Sequence, residues 1–386
     1  MYVAWLTMSP VNAQTFVKYG PSQNDLKYTV VSEDVHSFTD NGAQRSVRYV
    51  NTARMVNLKP DSYYYYSVGS VRGMSKVFRF KTFPQGEFPI RICIYGDLGI
   101  VNGQFDDIIN GAEKDYDMVI HVGDIAYDLF KEDGTYGDEF FRKMEPVTSS
   151  MPYMVIPGNH EQEPAQDFLH YRKRMKMPGK TEGYYYSFDV GLFHFAGLNS
   201  EFYALEWIQQ AKDQYNWLEK DLDKVTVPWI FTAIHRPMYC SNSGYSEDCN
   251  RPDNEVIRVG NSQMPGLEKL YRDKGVDFAF YGHMHSYERM WPVYNKVTYE
   301  QPKAGLTYNS PTPIHVITGS AGCHTPHTPQ DSNEKWSCVR SEDFGFTIVH
   351  LHNSTHAHLR QFSTEQHRNV DDYWLVKQKG YRPGQA

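Results

Sequence analysis

In the first 84 residues apolar and polar positions alternate in short bursts: "YVAWLT", "TFVKYG", "KYTVVS", "SVRYVNTARMVNL", "YYYYSVGS" and "SKVFRFKT", each closed by turn residues and none with a helical period. Alternation of period two predicts half-buried strands, and several at this spacing predict an antiparallel β-sandwich. The tyrosine row reads the same way, with alternate rings facing the core and the others half-covering an outer face. "FPQGEFP", residues 83–89, is a proline- and glycine-rich joint where the pattern changes, so the chain divides into 1–84 and 88–386. Beyond it the apolar runs "IRICIY", "DMVIHV", "YMVI", "WIFTAI" and "VDFAFY" alternate with helical stretches such as "DEFFRKMEPVTSS" and "AKDQYNWLEKDLDKV". Short runs that are apolar on both faces read as buried strands, and the alternation predicts a βαβ fold with a mostly parallel sheet.

In open α/β sheets ligands bind at the carboxyl ends of the strands. The five runs lead into "GDLG" with Asp97, "GDIAYD" with Asp124 and Tyr127, "PGNHE" with Asn159 and His160, "HRPMYC" with His235, and "GHMHSYER" with His283 and His285. Every strand end delivers a side chain able to hold a metal. Glycine precedes that side chain in four of the five, which lets the backbone turn sharply and approach an ion. Singly, a Gly-Asp after a strand is an ordinary turn and a lone histidine is a packing residue. Their joint occurrence at successive strand ends points to a metal centre.

Composition narrows the partners. A chain of 386 residues is long for one core, and 40% hydrophobic with 22% charged residues describes a globular protein. The net charge of −7 gives no electrostatic reason to expect nucleic acid or an anionic membrane, so an anionic substrate needs a local source of positive charge such as metal ions. No apolar run approaches the roughly 20 residues of a membrane span. The opening "MYVAWLTMSP" has no basic segment ahead of an apolar one, so it does not read as a signal peptide, and a natural start upstream of Met1 is expected. Of five cysteines, Cys93 lies in an apolar strand, while Cys240 with Cys249 and Cys323 with Cys338 lie in polar, turn-rich sequence. Two local disulfides and one buried thiol are expected, as in an oxidising compartment, and the sequon at Asn353 agrees with secretion.

The five blocks Gly-Asp-x-Gly, Gly-Asp-x-x-Tyr, Gly-Asn-His-Glu, a strand-terminal His and Gly-His-x-His together closely resemble the calcineurin-like metallophosphoesterases. Tyr127 makes the resemblance specific to the purple acid phosphatases, and "HRPMYCSN", "HSYERMWPVYN" and "ITGSAGC" are most similar to the animal iron/zinc forms. "LKPDSYYYYSV" resembles the strand and corner of a fibronectin type III domain. The resemblance thus implies an N-terminal all-β fibronectin type III-like sandwich, lacking its first strand, ahead of an α/β metallophosphoesterase domain of βαβ sheets sandwiched by helices. It further implies one metal on Asp97, Tyr127 and His285, another on Asn159, His235 and His283, and Asp124 bridging them. The first set is anionic and mostly hard oxygen, and the second is neutral apart from the bridge. Fe(III) therefore suits the first, and a divalent ion, Zn(II) ahead of Fe(II) or Mn(II), suits the second. The implied activity is an acid phosphatase that hydrolyses small-molecule phosphate monoesters with a metal-activated hydroxide, secreted or lysosomal, for which a homodimer is an admissible assembly. His160 is the candidate catalytic residue, binding phosphate or protonating the leaving alkoxide.

Two alternatives stand beside this reading. One is a phosphodiesterase or nucleotide pyrophosphatase on the same site, and the other a non-catalytic binding protein on a decayed enzyme fold. The chain departs from the plant-type enzymes in lacking a histidine pair soon after His235, which leaves His324, His327 or Arg251 to contact substrate on that side. Of the remaining features, His350, His352, His356 and His358 are evenly spaced about Asn353 and read as a hairpin with histidines on one face rather than a metal cluster. "YRKRMK", residues 171–176, reads as a solvated helix face, and Tyr287, Glu288 and Arg289 as braces of the "GHMH" turn.

Overall fold

The computed structural model describes residues 1–386 except 11, 166, 243–248, 250–251, 324–332 and 385–386. Eight strands come first: β1 Tyr2–Thr7, β2 Thr15–Gly20, β3 Tyr28–Val31, β4 Asp34–Thr39, β5 Val47–Arg54, β6 Tyr63–Ser70, β7 Gly73–Met74 and β8 Phe78–Lys81. They form the expected sandwich: β1-β5-β4 make one sheet, and β3-β2-β6-β7 with β8 on β6 make the other. Tyr64 and Tyr66 pack with Val17, Ala53 and Phe80 between the sheets, whereas Tyr63 is exposed, as period two requires.

The catalytic-type half follows in the order β9 Ile90–Tyr95, α1 Phe105–Gly111, β10 Met118–Val122, α2 Thr135–Thr148, β11 Tyr153–Ile156, α3 Leu169–Arg174, β12 Tyr186–Val190, β13 Phe193–Gly197, α4 Glu201–Ala204, α5 Ile208–Leu222 and β14 Trp229–Ala233. It continues through α6 Pro252–Val259, α7 Glu268–Asp273, β15 Phe278–Tyr281, β16 Tyr287–Met290, the small pair β17 Val293–Tyr294 and β18 Val297–Thr298, and β19 Leu306–Tyr308. The last strands are β20 Ile314–Thr318, β21 Ser337–Ser341, β22 Gly345–Leu351, β23 His356–Ser363 and β24 Arg368–Val376.

Instead of one mostly parallel sheet there are two mixed sheets of seven strands, β11-β10-β9-β22-β23-β24-β19 and β12-β13-β14-β15-β20-β16-β21. Parallel pairing holds among the strands read from the sequence, but β22 and β16 each add an antiparallel wing. The inward faces, with Ile92, Ile94, Ile120, Phe195, Trp229, Phe231, Phe280 and Val349, form the central core. The outward faces are covered by helices: Cys93, Tyr95 and Val119 meet α1 and α2, and Ala196, Ile230 and Ala279 meet the layer of α5 to α7. A strand covered on both sides has no polar face to show, which is why these strands read as apolar runs.

The halves are tied by buried charge. Arg48 of β5 donates to Asp138 of α2 at 2.8 and 3.0 Å, and Arg174 pairs with the same carboxylate at 2.8 Å. Tyr66 donates to the Ser149 carbonyl at 2.7 Å. The basic run 171–176 is only in part a solvated face: Lys176 is exposed and Arg172 and Lys173 are half-buried, but Tyr171 and Arg174 are buried, the latter because Asp138 draws its guanidinium inward.

Burial also makes the protein acid-sensitive. His315, stacked on Tyr281 with its Nδ1 2.8 Å from the phenol, and His121 are both pulled down to about 3 by burial. An unfolded histidine titrates near 6.5, so between about pH 6.5 and 3 the unfolded chain binds more protons and stability falls as pH is lowered. Glu161 and Glu163, both pushed up to about 7 by burial, oppose this above about pH 4.5, so we expect the histidines' contribution to show as a smaller fall of the thermal midpoint on acidification in His315→Gln than in the parent protein.

Candidate metal centre

The carboxyl ends of β9, β10 and β11 in one sheet and of β14 and β15 in the other converge on one cluster of donors. The sharp turns that end these strands are visible in the backbone. Asp97, Asp124, Tyr127 and His283 all sit at positive φ, 60°, 51°, 47° and 70°. Gly123 and Gly158 make the approach possible: a Cβ on Gly123 would meet His235 Nδ1 at 2.5 Å, and one on Gly158 would meet Asp124 Oδ1 at 2.3 Å.

Two groups of donors result. In the first, Tyr127 Oη lies 3.2 Å from Asp97 Oδ1 and 2.7 Å from His285 Nε2, and His285 Nε2 lies 3.5 Å from Asp97 Oδ1. In the second, His235 Nε2 lies 3.2 Å from Asn159 Oδ1 and 3.3 Å from Asp124 Oδ1. One donor atom from each of Asp124, His235 and His283 falls within 4.8 Å of the others. The structure thus brings together all seven positions named from the strand ends, with His160 at their edge. His235 Nδ1 donates to the Val122 carbonyl at 2.8 Å, which fixes the tautomer and turns Nε2 to the cluster.

The electrostatics favour positive charge. Burial opposes charging His235 and His285, but Asp124 beside the first and Asp97 beside the second overcome it and hold both at about 10. His160 is likewise raised to about 9, against its burial, by Asp124 and by Asp128, whose Oδ1 is 2.7 Å from its Nδ1. Burial, with Asp97 and Asp124 adding to it, pushes the Tyr127 phenol well above its ordinary value. A phenolate there requires a strong Lewis acid at its oxygen, and hard oxygens beside imidazoles are a donor set that fits one.

Several supporting residues carry no signal of their own in the sequence. Glu161, the last residue of "GNHE", is buried and accepts the backbone N–H groups of Asp124, Ile125 and Gly158 at 2.8–2.9 Å, clamping two of the strand-end turns together. Arg236, next to His235, is held by both oxygens of Glu201 at 3.0 Å and reaches His283 Nε2 at 3.2 Å. Asp253 pairs with it as well, at 3.2 Å, so this buried guanidinium is neutralised and serves to hold His283 in place. Glu288, expected to brace the "GHMH" turn, instead accepts the Ser241 N–H at 2.9 Å on the segment that follows His235. Tyr287 and Arg289 instead grip Asp371 of β24, each at 2.6 Å, and so link the two sheets.

Cys240 and Cys249 are bonded as expected. Cys323 and Cys338 are not: they are thiols, because Cys323 is drawn into the donor cluster, its N–H on the Asp97 carbonyl and its side chain hydrogen-bonded to His285, while Cys338 on β21 lies 3.6 Å from Arg289. Arg251, His324 and His327 lie outside the described residues. A cavity of about 1070 Å³ lies along β1 among Trp5, Tyr66, Phe141 and Met175, and none of the donors lines it. Donor chemistry rather than cavity size therefore locates the site.

Three family descriptions match along the chain: "Purple acid Phosphatase, N-terminal domain" over residues 1–82, "Calcineurin-like phosphoesterase" over 90–287, and "Iron/zinc purple acid phosphatase-like protein C" over 312–373. The chain belongs to the calcineurin-like phosphoesterases and, within them, to the purple acid phosphatases. Among its relatives are acid phosphatase type 7 of Homo sapiens, 37% identical over 98% of this chain and 88% of that protein, and its counterpart in Mus musculus, 36% identical over the same shares. The purple acid phosphatase from yellow lupin (Lupinus luteus) seeds has the same fold, with a TM-score of 0.82 at 24% identity, over 97% of this chain and 72% of that one. The family implies a dinuclear centre of the iron/zinc type.

Proposed function

We propose that this protein is an acid phosphatase acting on small phosphate monoesters, and the observation that carries the reading is the pair of donor groups at the converging strand ends, Asp97 with Tyr127 and His285, and Asn159 with His235 and Asp124. Asp97, Tyr127 and His285 would hold one ion, Asn159, His235 and His283 would hold the other, and Asp124 would be shared between them. Two ions bound there would supply Lewis acidity to phosphate oxygens and would lower the pKa of bound water. Fe(III) belongs on the Tyr127 side, where an anionic set surrounds a phenol that burial resists ionising, and Zn(II), or Fe(II) or Mn(II), on the other.

The chain's own groups do the rest. Arg236, paired with Glu201, holds His283 through Nε2, and Asp97 and Asp124 keep the first set anionic. His160, oriented through Nδ1 by Asp128, presents Nε2 to the cluster, 3.9 Å from Asp124 Oδ2, from where it can pass a proton to the leaving alkoxide. The Cys240–Cys249 disulfide supports an oxidising compartment, secreted or lysosomal. Among the described residues no helix is long and apolar enough to cross a membrane.

The test is hydrolysis of para-nitrophenyl phosphate from pH 4 to 8, beside the bis(para-nitrophenyl) diester. An acid optimum with the monoester preferred is expected. Preference for the diester, or no turnover by folded, metal-loaded protein, overturns the reading. His160→Gln should lower kcat by about 100-fold while metal content is kept. Tyr127→Phe should abolish visible absorption and leave the circular dichroism spectrum unchanged.

A further inference from the structure

The hairpin of β22 and β23 turns at Asn353 and carries His350, His352, His356 and His358 around its end. The register sets His350 opposite His358, with Arg91 of β9 and Trp374 of β24 flanking the pair. The intervening Val349, Leu351, Ala357 and Leu359 face the core, so the histidines share the outer face. This face lies at the amino end of β9, beyond the far edge of the sheet from the metal centre.

Its geometry exceeds what a solvated histidine face needs. The rings of His350 and His352 lie 3.7 Å apart between centroids, and His352 and His358 lie 6.2 Å apart in near-parallel planes. Nε2 of His352 is buried and has no hydrogen-bond partner. Nε2 of His358 is held by Asp372 Oδ1 at 2.8 Å, a carboxylate that orients the imidazole. Trp374 stacks flat on His358 at 4.3 Å and stands 5.1 Å from His352, walling one side of the cluster. Burial and the neighbouring imidazoles and arginines keep His350, at about 4, and His352 in the neutral form that metals require. The flanking Arg91 is already neutralised by Asp117 at 2.7 Å.

We propose that this hairpin end is a metal site outside the catalytic centre, binding one late divalent transition ion of the Zn(II), Cu(II) or Ni(II) class through His350 and His352. Solvent completes the coordination, and His358, held by Asp372 and stacked on Trp374, walls the site, with Asp372 as the positioning residue of that wall. Imidazole donors select these ions over Mg(II) or Ca(II). The site shares no residue with the catalytic centre and does not depend on the activity proposed above.

The experiment is calorimetric titration of the metal-loaded, desalted protein with zinc chloride, beside His350→Gln/His352→Gln and Asp372→Asn. Wild type should take up one zinc ion per chain more than the double variant, with equal phosphatase activity in both. Asp372→Asn should keep the extra ion but bind it about 10-fold more weakly. Copper(II) chloride should quench a component of tryptophan fluorescence that Trp374→Phe removes. Equal zinc uptake by wild type and double variant, or identical quenching with and without Trp374, overturns the proposal.

Discussion

Asp124→Asn protein is expected to fold and to be inactive, with kcat on para-nitrophenyl phosphate reduced by about 1000-fold or more. Asn has nearly the shape of Asp and tolerates the left-handed backbone that position 124 adopts, so the turn and the sheets should persist, which circular dichroism reads directly. The charge does not persist. Burial opposes ionising Asp124, yet His235 and His160 hold the carboxyl well below its usual range, so the site is built around that anion. The Asn159, His235 and His283 set has no other carboxylate. Metal content per chain should therefore fall together with turnover. Full activity and full metal content in the variant would overturn the proposal that Asp124 is shared between two ions.

The second large effect is on stability. Asp138→Ala should destabilise the protein by about 3–5 kcal/mol, because it strands Arg48 and Arg174, both buried, without their shared carboxylate. Removing one guanidinium instead, as in Arg174→Met, leaves the Arg48–Asp138 pair intact and should cost less. Thermal melts should show a drop of several degrees for Asp138→Ala. Limited proteolysis should also open the joint at 83–89 earlier in that variant, since Arg48 belongs to the sandwich and Asp138 to the other half. A melt unchanged within a degree would mean that water reaches the arginines once the carboxylate is gone.

Where the chain was legible, burial on both sides is the reason. β9 and β11 begin and end at the residues of the runs "IRICIY" and "YMVI", because a strand between two layers must be apolar throughout. The strand-end polar residues were legible because a glycine followed by Asp, Asn or His interrupts such a run abruptly. The antiparallel wings were not legible. β22 pairs with β9 from some 250 positions away, Thr347 against Ile94, and nothing local in either strand specifies that partner. Cys323 and Cys338 misled because proximity in sequence is a poor guide once a backbone turn commits one cysteine to the donor cluster. Arg174 looked like part of a basic surface because its partner, Asp138, lies on another helix. Glu161 was visible as a letter of a motif, but its task of holding two turns together exists only in three dimensions.

The backbone turns at the strand ends have an evolutionary consequence. Asp97, Asp124, Tyr127 and His283 each occupy a conformation that costs a non-glycine residue of order 1–3 kcal/mol, and the rest of the fold offsets that strain. Glycine or asparagine at the same positions would relieve it. A population of variants selected for heat resistance alone would therefore drift toward comfortable, catalytically silent strand ends, and only selection for turnover would hold these four side chains in place.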